Sequence, residues 1–488
     1  MILSWKKLLS SKTLIQRTTE KGQKGRDSFD GRSSFDSDYD RIIFSYPFRR
    51  LQDKAQLFPL ESNDFVRTRL THSLEVAALA KSMGISIAKK LSENENLYDW
   101  LKSYENDLPK VLECSGLVHD LGNPPFGHFG EKVISDNLTK ILESLKENLE
   151  SDNVELLPQQ KSDLEKFEGN SQSFRILTHI QCIKDGCGYH MTSALLASII
   201  KYPVDSVKGN VKDSKDVRLH KFGYFFTENE TVNKVFENTG LIDCKGNYIR
   251  HPLTFILEAA DDLAYCAGDI EDGFKKHLFS IEELINCFEE YNKNINDIKI
   301  WNLTASLRDI FNDDSYYSEE KKVQNIRIAI QQVMFHSIIK CFFENYDQIM
   351  SGSFSKELIE ASDVCELRNC LKEITKKYLF SNNEVIAKEI LGRKVISELV
   401  KLYADGLFNI YEMDGNKKKF IKFDERTMKL ISSDYLTVFK KTICCNDSFD
   451  NIEINGDNIY YILLLIADQI SGMTDNYCLS LYRKLNGI

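Results

Sequence analysis

The chain has 488 residues, a net charge of −10, 42% hydrophobic and 28% charged residues, as in an ordinary folded protein with a large core. The negative net charge argues against extensive nucleic-acid binding as the main function of the protein, although it is compatible with local basic patches. No segment reaches 18 uninterrupted apolar residues, and the twelve cysteines form no CxxC pair. We therefore expect a cytoplasmic protein with reduced thiols, no membrane span and, because "MILSWKKLLSS" lacks a sustained apolar run, no signal peptide.

In chain order, the first expected element is a flexible N-terminal arm over residues 1–40, since residues 11–40 are polar and lack a period. Apolar residues at helical spacing over residues 70–90 predict a helix, and a charged helical stretch begins at residue 132. A second clear helix is predicted from Pro252 to Gly273. Patterning beyond residue 275 is mostly helical, with room for a short hairpin in "GNKKKFIKFDERTMKLISS". The predicted fold is all-α.

Three of these segments place costly polar groups in an apolar context. His119 and Asp120 end the apolar run "VLECSGLV", His72 lies in "RTRLTHSLEVAALA", and Asp261 with Asp262 lies in mid-helix. Taken singly, they are typical of a satisfied core histidine, a capping pair and a solvated helix face. Together they favour a divalent metal, because neutral imidazole and ionised carboxylate are both good ligands and would be expensive to bury unpaired.

The order His72, His119-Asp120, Asp261 resembles the HD superfamily of metal-dependent phosphohydrolases. More narrowly, the chain resembles deoxyguanosine triphosphate triphosphohydrolases in five motifs: "RRLQDKAQLFPL", "TRLTHSLEVA", "HDLGNPPFGHFGE", "FEGNSQSFRIL" and "EAADDLAYCAGDIEDG". The C-terminal segment "DQISGMTDNYCLSLYRKL" is also similar to this family. This resemblance implies an HD-superfamily helical core over residues 41–275. Residues 276–488 would form a helical C-terminal region that packs on the core and contributes to oligomerisation.

The resemblance also implies a reaction: water attacks the α-phosphorus of dGTP, or of another dNTP, and releases the deoxynucleoside and intact triphosphate. The four motif residues would hold one divalent metal, with Mg or Mn expected and Co, Fe or Zn as alternatives. Asp261 is preferred to Asp262 because the family places a tyrosine four residues after its ligand, where Tyr265 stands.

His128 and Glu131 match the family's catalytic histidine and its partner carboxylate, and their division of labour stays open. A histidine of this kind can act as general acid or base near neutral pH. The implied substrate contacts are Gln52, Tyr265 and Asp269 at the sugar, Asn170 in the pocket, and Arg69, Lys201, Tyr202 and Lys221 at the triphosphate. For Lys201 and Lys221, solvated loop lysines are the alternative.

Two alternative functions remain at this point. One is an HD nucleotidase or phosphodiesterase with another substrate, since the loop over residues 203–220 leaves base recognition open. The other is a catalytically idle nucleotide sensor or single-stranded DNA-binding module. The resemblance further implies a homo-oligomer, hexameric or built from dimers, and leaves open a nucleotide or single-stranded DNA effector. Arg393 and Arg483 are expected on helix surfaces, with contacts across subunits as the alternative.

Overall fold

The computed structural model describes residues 2–14, 31–61, 63–93, 105–149, 154–183, 186–211, 213–316, 318–412, 419–443 and 448–487. Within these ranges the fold is mainly helical with one small antiparallel sheet, so the predicted fold class is confirmed.

The helices of the first part are α1 (Trp5–Leu8), α2 (Ser34–Ile43), α3 (Tyr46–Arg50), α4 (Arg69–Ser92), α5 (Asp107–Val118), α6 (Gly127–Leu149), α7 (Pro158–Glu165), α8 (Gly169–Arg175), α9 (Ser193–Ser198), α10 (Asn229–Thr239) and α11 (Pro252–Lys275). Short 3₁₀ turns cover Leu51–Asp53, Val217–Leu219 and Phe226–Glu228, and a π-helical turn covers Ile176–Ile180. A two-residue hairpin pairs β1 (Cys182–Ile183) with β2 (Gly186–Cys187).

The second part contains α12 (Ile281–Ile295), α13 (Ile298–Asn312), α14 (Glu319–Glu344), α15 (Tyr346–Ser351), α16 (Leu358–Ala361), α17 (Cys365–Thr375), α18 (Asn383–Leu407), α19 (Glu425–Met428), α20 (Ser433–Ile443), α21 (Gly456–Ser471) and α22 (Asp475–Asn486). A π-helical turn covers Lys376–Phe380. The sheet has the order β3 (Asn409–Glu412), β4 (Lys419–Lys422), β5 (Ile452–Glu453), all antiparallel. It confirms the predicted hairpin.

Helices α4, α5 and α11 form the centre of the fold and pack against one another. Helix α4 begins where Thr68 caps it: the Thr68 hydroxyl accepts the Thr71 N–H, and the Thr71 hydroxyl accepts the Thr68 N–H in return. Helix α5 lies so close to α4 that a Cβ at Gly116 would stand 2.5 Å from the Ala77 Cα. This close approach holds the end of α5, where His119 follows, against the helix that carries His72.

The N-terminal segment packs against the core of the protein, whereas the sequence predicted a flexible arm. The Trp5 indole N–H donates to the Tyr346 hydroxyl at 2.8 Å, and Leu8 is fully buried. Helix α2 buries Phe35 against α5 and starts at a capping box of Ser33. The flexible arm expected over residues 1–40 therefore does not describe residues 2–14 or 31–40, because their apolar side chains have partners in the core. Residues 15–30 lie outside the described residues.

The C-terminal half packs directly on this core. Helix α14 lies against α11, α18 against α6, and α21 against α7 and α18. Helix α11 starts at Pro252 as predicted, but it continues past Gly273 to Lys275 because Gly273 packs beneath the Phe279 ring instead of ending the helix. Among the described helices, α14 alone is long and apolar enough to cross a membrane by length and composition, a test that core helices also pass.

Candidate metal and catalytic site

The four proposed metal ligands come from the three central helices. His72 lies one turn into α4, His119 and Asp120 follow the last residue of α5, and Asp261 lies in the middle of α11. His72, His119 and Asp120 are buried, and the Asp261 side chain is a quarter exposed. Three helices that pack on each other thus bring residues almost 190 positions apart into one cluster.

The cluster is tight at its centre. The Asp261 Oδ1 lies 3.0 Å from the His72 Nε2 and 3.5 Å from the His119 Nε2. One ligand atom each from these three residues can be chosen so that all lie within 4.8 Å of one another. The Asp120 Oδ1 lies 3.5 Å from the His119 Nε2 and so belongs to the same group.

The donor set fits a divalent cation. The His119 Nδ1–H donates to the Gly116 carbonyl at 2.8 Å, which leaves the Nε2 lone pair directed at the two carboxylates. Among the described residues this buried Nε2 has no hydrogen-bond partner. Two imidazoles and two carboxylates are ligands that divalent transition metals and, through the oxygens, Mg²⁺ or Mn²⁺ accept. The ligand types and the spacing of the cluster therefore fit a divalent metal site.

Electrostatics keep the carboxylates ionised. Burial acts to raise the pKa of Asp261, but the Lys201 ammonium and the His119 ring outweigh it and hold that pKa well below its usual range. Burial also opposes ionisation of Asp120, and His119 and Arg69 overcome it in the same way. For His119, burial acts to lower the pKa, while Asp120 and Asp261 raise it above its usual value.

The neighbouring carboxylate, Asp262, points elsewhere. Its oxygens lie 3.2 Å from the Arg368 guanidinium and 3.9 Å from the Lys372 ammonium, on the side of α11 that faces α17. Asp261 alone of the two lies against the histidines, which supports the choice made from the sequence.

His128 and Glu131 form a hydrogen-bonded pair at the start of α6. The His128 Nδ1 lies 3.0 Å from the Glu131 Oε2, and the histidine side chain is 75% exposed while the glutamate is buried. Burial acts to raise the pKa of Glu131, but the His128 bond, Lys221 and the Gly169 N–H lower it below its usual value. Glu131 therefore accepts a hydrogen bond from the His128 Nδ1–H group. The His128 Nε2 atom is then available for proton transfer.

The loop that presents His128 is anchored from the C-terminal end of the chain. Phe126 has a positive φ of 62°, a conformation that costs a bulky residue energy and needs support from its surroundings. That support comes from the buried Asp475, whose Oδ1 accepts the Phe126 N–H at 3.0 Å and whose Oδ2 accepts the Ala55 N–H at 2.9 Å.

The turn that carries Gln52 is held by the same C-terminal segment. The Lys54 ammonium donates to the Asn123 carbonyl at 2.6 Å and to the Ser471 carbonyl at 2.8 Å. The Asp53 carboxylate accepts the Thr474 hydroxyl at 2.5 Å. Gln52 itself is exposed. Its neighbours are fixed, so the turn presents this side chain from a rigid base.

Tyr265 and Asp269 lie one and two turns after Asp261 on α11, and burial together with the nearby Asp269 carboxyl raises the pKa of Tyr265. Burial and the nearby Asp272 raise the pKa of Asp269 well above its usual range, against Tyr265 and Arg67. The buried Asp269 Oδ2 has no partner among the described residues, so one more polar group could bond there.

Each cation predicted at the triphosphate is paired with an acidic side chain of the site. Arg69 donates to the Asp120 Oδ2 at 2.7 Å, Lys201 to the Asp261 Oδ2 at 3.0 Å, and Lys221 to the Glu168 Oε2 at 2.7 Å. The Lys201 side chain is only 13% exposed, so it is not a freely solvated loop lysine. Burial lowers the pKa of this ammonium, but Asp261 and Glu258 raise it further, so it stays charged.

Tyr202 and Asn170 complete the predicted set. Tyr202 is half-buried, and burial with the Glu258 charge raises its pKa to about 12. The Asn170 amide donates to the Glu168 Oε1 at 2.6 Å. Neither contacts the metal cluster directly.

Sequence reasoning missed the residues that hold this arrangement. Asp475, Lys54, Asn123 and Glu168 all contact a predicted site residue or its loop. All four stand inside motifs that carried the resemblance, and this was the available signal. The two arginines considered at subunit contacts are exposed on their helices, and Arg393 lies 5.4 Å over the Phe129 ring.

Comparison with known proteins agrees with this geometry. The HD domain family matches residues 69–177. A Listeria innocua protein named deoxyguanosinetriphosphate triphosphohydrolase-like protein is 37% identical over 500 aligned residues, covering all of both chains. A Synechocystis protein of the same name is 30% identical, also over all of both chains. A Salmonella typhimurium protein named deoxyguanosinetriphosphate triphosphohydrolase is 30% identical over 93% of this chain and 94% of its own.

A helical fold with two histidines and two carboxylates gathered from three packed helices defines an HD-domain protein. The full-length identity to the relatives is more specific. The chain belongs to the deoxyguanosinetriphosphate triphosphohydrolase family.

Proposed function

We propose that this protein is a metal-dependent triphosphohydrolase that converts dGTP to deoxyguanosine and inorganic triphosphate, with other dNTPs as further candidate substrates. One observation carries the proposal: the His72–His119–Asp261 cluster, the His128–Glu131 pair and cations able to receive a triphosphate belong to one site. The relatives' names supply the substrate class.

His72, His119, Asp120 and Asp261 would hold the divalent cation, which we propose to be Mg²⁺ or Mn²⁺. When bound, such an ion supplies Lewis acidity at the phosphoryl group under attack. The residues around it have their own tasks. Arg69 and Lys201 bind the Oδ2 atoms of Asp120 and Asp261, whose Oδ1 atoms face the histidines, and so help to hold these carboxylates in place and keep them ionised.

His128 would move the proton. Because Glu131 accepts the hydrogen bond of the Nδ1–H group, the Nε2 atom would either accept a proton from the attacking water or give one to the departing 5′ oxygen. The exposed position of the ring leaves it accessible to substrate. A correctly placed general acid or base of this type contributes about 10²–10⁴-fold in rate.

The sugar would bind between Gln52 and the Tyr265–Asp269 pair. The Asp269 carboxyl, whose pKa burial raises, would hydrogen-bond the 3′ hydroxyl, and Gln52 offers that hydroxyl both a donor and an acceptor. Tyr265 would pack against the ring where a 2′ hydroxyl has no room, which favours deoxyribose. Arg69, Lys201, Tyr202 and Lys221 would contact the triphosphate, whose charge favours cationic donors, and Asn170 would line the substrate pocket.

The deciding experiment incubates the purified protein with each of the four dNTPs and with GTP, in Mg²⁺ or Mn²⁺, and identifies the products by chromatography. Deoxynucleoside with intact triphosphate is expected, and GTP should react far more slowly. Release of phosphate, pyrophosphate or a monophosphate would refute the proposed reaction. Turnover of no dNTP at saturating metal would favour an idle sensor.

We also propose that the protein works as a homo-oligomer in the cytoplasm, with a hexamer or a set of dimers as the expected states. A regulatory nucleotide or single-stranded DNA effector is a further expectation. Sedimentation with and without dNTPs or single-stranded DNA tests both.

A further inference from the structure

Glu168 is a buried carboxylate beside the site that the proposed reaction does not use. It is 5% exposed and lies just before α8, whose N-terminus it caps through the Asn170 N–H at 3.4 Å. Its Oε1 accepts the Asn170 side-chain amide at 2.6 Å, and its Oε2 pairs with the Lys221 ammonium at 2.7 Å. The two oxygens are thus divided between two side chains proposed to touch the substrate.

The next residue connects this carboxylate to the catalytic pair. The Gly169 N–H donates to the Glu131 Oε1 at 3.1 Å. A Cβ at Gly169 would lie 2.4 Å from the Asn123 Oδ1 and 2.6 Å from the Glu131 Oε1, so the backbone must approach both closely. Since Asn123 donates to Asp120 at 2.5 Å, the turn also touches the loop of the metal cluster.

The charges in this turn explain why a carboxylate is needed there. Burial and Glu131 raise the pKa of Glu168, while Lys221 lowers it. Burial acts to lower the pKa of Lys221, but Glu168, Glu131 and Tyr202 raise it, so the ammonium stays charged. Without Glu168, a four-carbon side chain with many rotamers would carry this cation with no fixed partner at its end.

We propose that Glu168 is the positioning residue that holds the Lys221 ammonium and the Asn170 amide at a set distance from the His128–Glu131 pair. The turn over residues 168–170 then fixes the phosphate-binding cation and the proton-transfer pair relative to each other. This inference rests on the proposed function, because it assigns Lys221 to the triphosphate.

The test is a double-mutant cycle of Glu168→Gln and Lys221→Met. Glu168→Gln keeps the shape and one acceptor but loses the charge that holds Lys221, so the KM for dGTP should rise about tenfold, within the usual range for contacting polar pairs. Lys221→Met should raise it at least as much. In the double variant the KM should equal that of Lys221→Met alone, because Glu168 acts through Lys221. Effects that multiply would overturn the proposal, and so would a wild-type KM in Glu168→Gln.

Glu165→Gln is the matched control, since it breaks the exposed Glu165–Lys161 pair one turn earlier on the chain. Its KM should stay at the wild-type value. If Glu168→Gln fails to fold by circular dichroism, Glu168→Asp replaces it, because the shorter side chain keeps the charge but cannot reach both partners. The same rise in KM is then expected, and an unchanged KM overturns the proposal.

Binding of inorganic triphosphate, measured by calorimetry, separates this inference from the proposed function. Wild-type protein should bind the anion. Each single variant should bind it more weakly by a similar factor, and the double variant should bind it no more weakly than Lys221→Met, even if no dNTP is turned over. Binding that is normal in both variants, or absent in the wild type, would refute the role given to Glu168. Failure of dGTP turnover with these binding results intact would refute only the proposed reaction.

Discussion

Replacing Asp475 with alanine should destabilise the fold and slow the reaction, although this residue is far from the metal ligands in sequence. The side chain is 2% exposed and accepts two backbone N–H groups, those of Ala55 and Phe126. Alanine leaves both donors buried without a partner, at about 1–3 kcal/mol each. Relief from burying the carboxylate, whose pKa burial raises, offsets part of this, so a loss of about 3 kcal/mol is expected.

This loss converts to a small but measurable change in melting temperature. An unfolding entropy of about 2.1 cal/mol/K per residue over 488 residues gives about 1 kcal/mol/K, so Asp475→Ala should lower the Tm by about 3 °C in calorimetry. The kcat for dGTP should fall more visibly, because Phe126 loses the bond that holds its strained backbone ahead of His128. A displacement of about 1 Å at a catalytic group costs about 10²-fold.

The neighbouring Asn476 supplies the control. Its side chain is exposed and, among the described residues, bonds only to the Asp53 Oδ1 at 2.5 Å, so Asn476→Ala should change stability by less than about 0.5 kcal/mol. Asp475→Asn keeps one acceptor and should fall between wild type and Asp475→Ala in both measurements. The reasoning fails if Asp475→Ala melts like Asn476→Ala and keeps the wild-type kcat.

Three further predictions follow from the site. His72→Ala and Asp120→Ala should each abolish dGTP hydrolysis and weaken Mn²⁺ binding in calorimetry; wild-type rates in either variant would refute the metal site. Glu131→Gln should lower kcat by about 10²–10⁴-fold with Mn²⁺ affinity unchanged, since it replaces the charged acceptor that holds His128 with a neutral amide and leaves the ligands in place. Burial raises the pKa of Asp163 to about 7, above its unfolded value, so its contribution to stability falls as the pH rises from about 4 to about 7. Asp163→Asn should flatten that fall in Tm profiles across this range, and parallel profiles would contradict the assignment.

Helical periodicity was enough to predict α4 and α11, and the polar residues set in apolar segments indicated a metal site, but the ligand set and the choice of Asp261 over Asp262 came from the family resemblance. A histidine or an aspartate inside an apolar run is costly, so its presence signals a partner even when that partner is distant in sequence. Helix ends were harder to predict: α11 passes Gly273 because a tertiary contact with Phe279 outweighs the local preference of glycine for a helix end. The packing of Trp5 and Phe35 was missed for the same reason, since polar neighbours obscure single apolar anchors.

The pairs formed by Arg69, Lys201 and Lys221 lay beyond sequence reasoning. A lysine in a polar loop has the same local pattern whether it is solvated or bound to a buried carboxylate, and only the fold distinguishes the two. The same holds for Glu168, whose partners are 2 and 53 positions away.

The C-terminal region explains why relatives match this chain over its whole length although the HD domain covers only residues 69–177. Asp261 lies beyond that domain. The segment over residues 468–475 contacts the domain and the turn that carries Gln52. In that segment Asp468 pairs with Arg175 at 2.8 Å, Ser471 binds Lys54, and Asp475 holds the loop before His128. A chain that ended at residue 275 would keep all four proposed ligands and the His128–Glu131 pair. It would lose the contacts that fix the Gln52 turn and the His128 loop, so the C-terminal helices are part of the site and not an appendage to it.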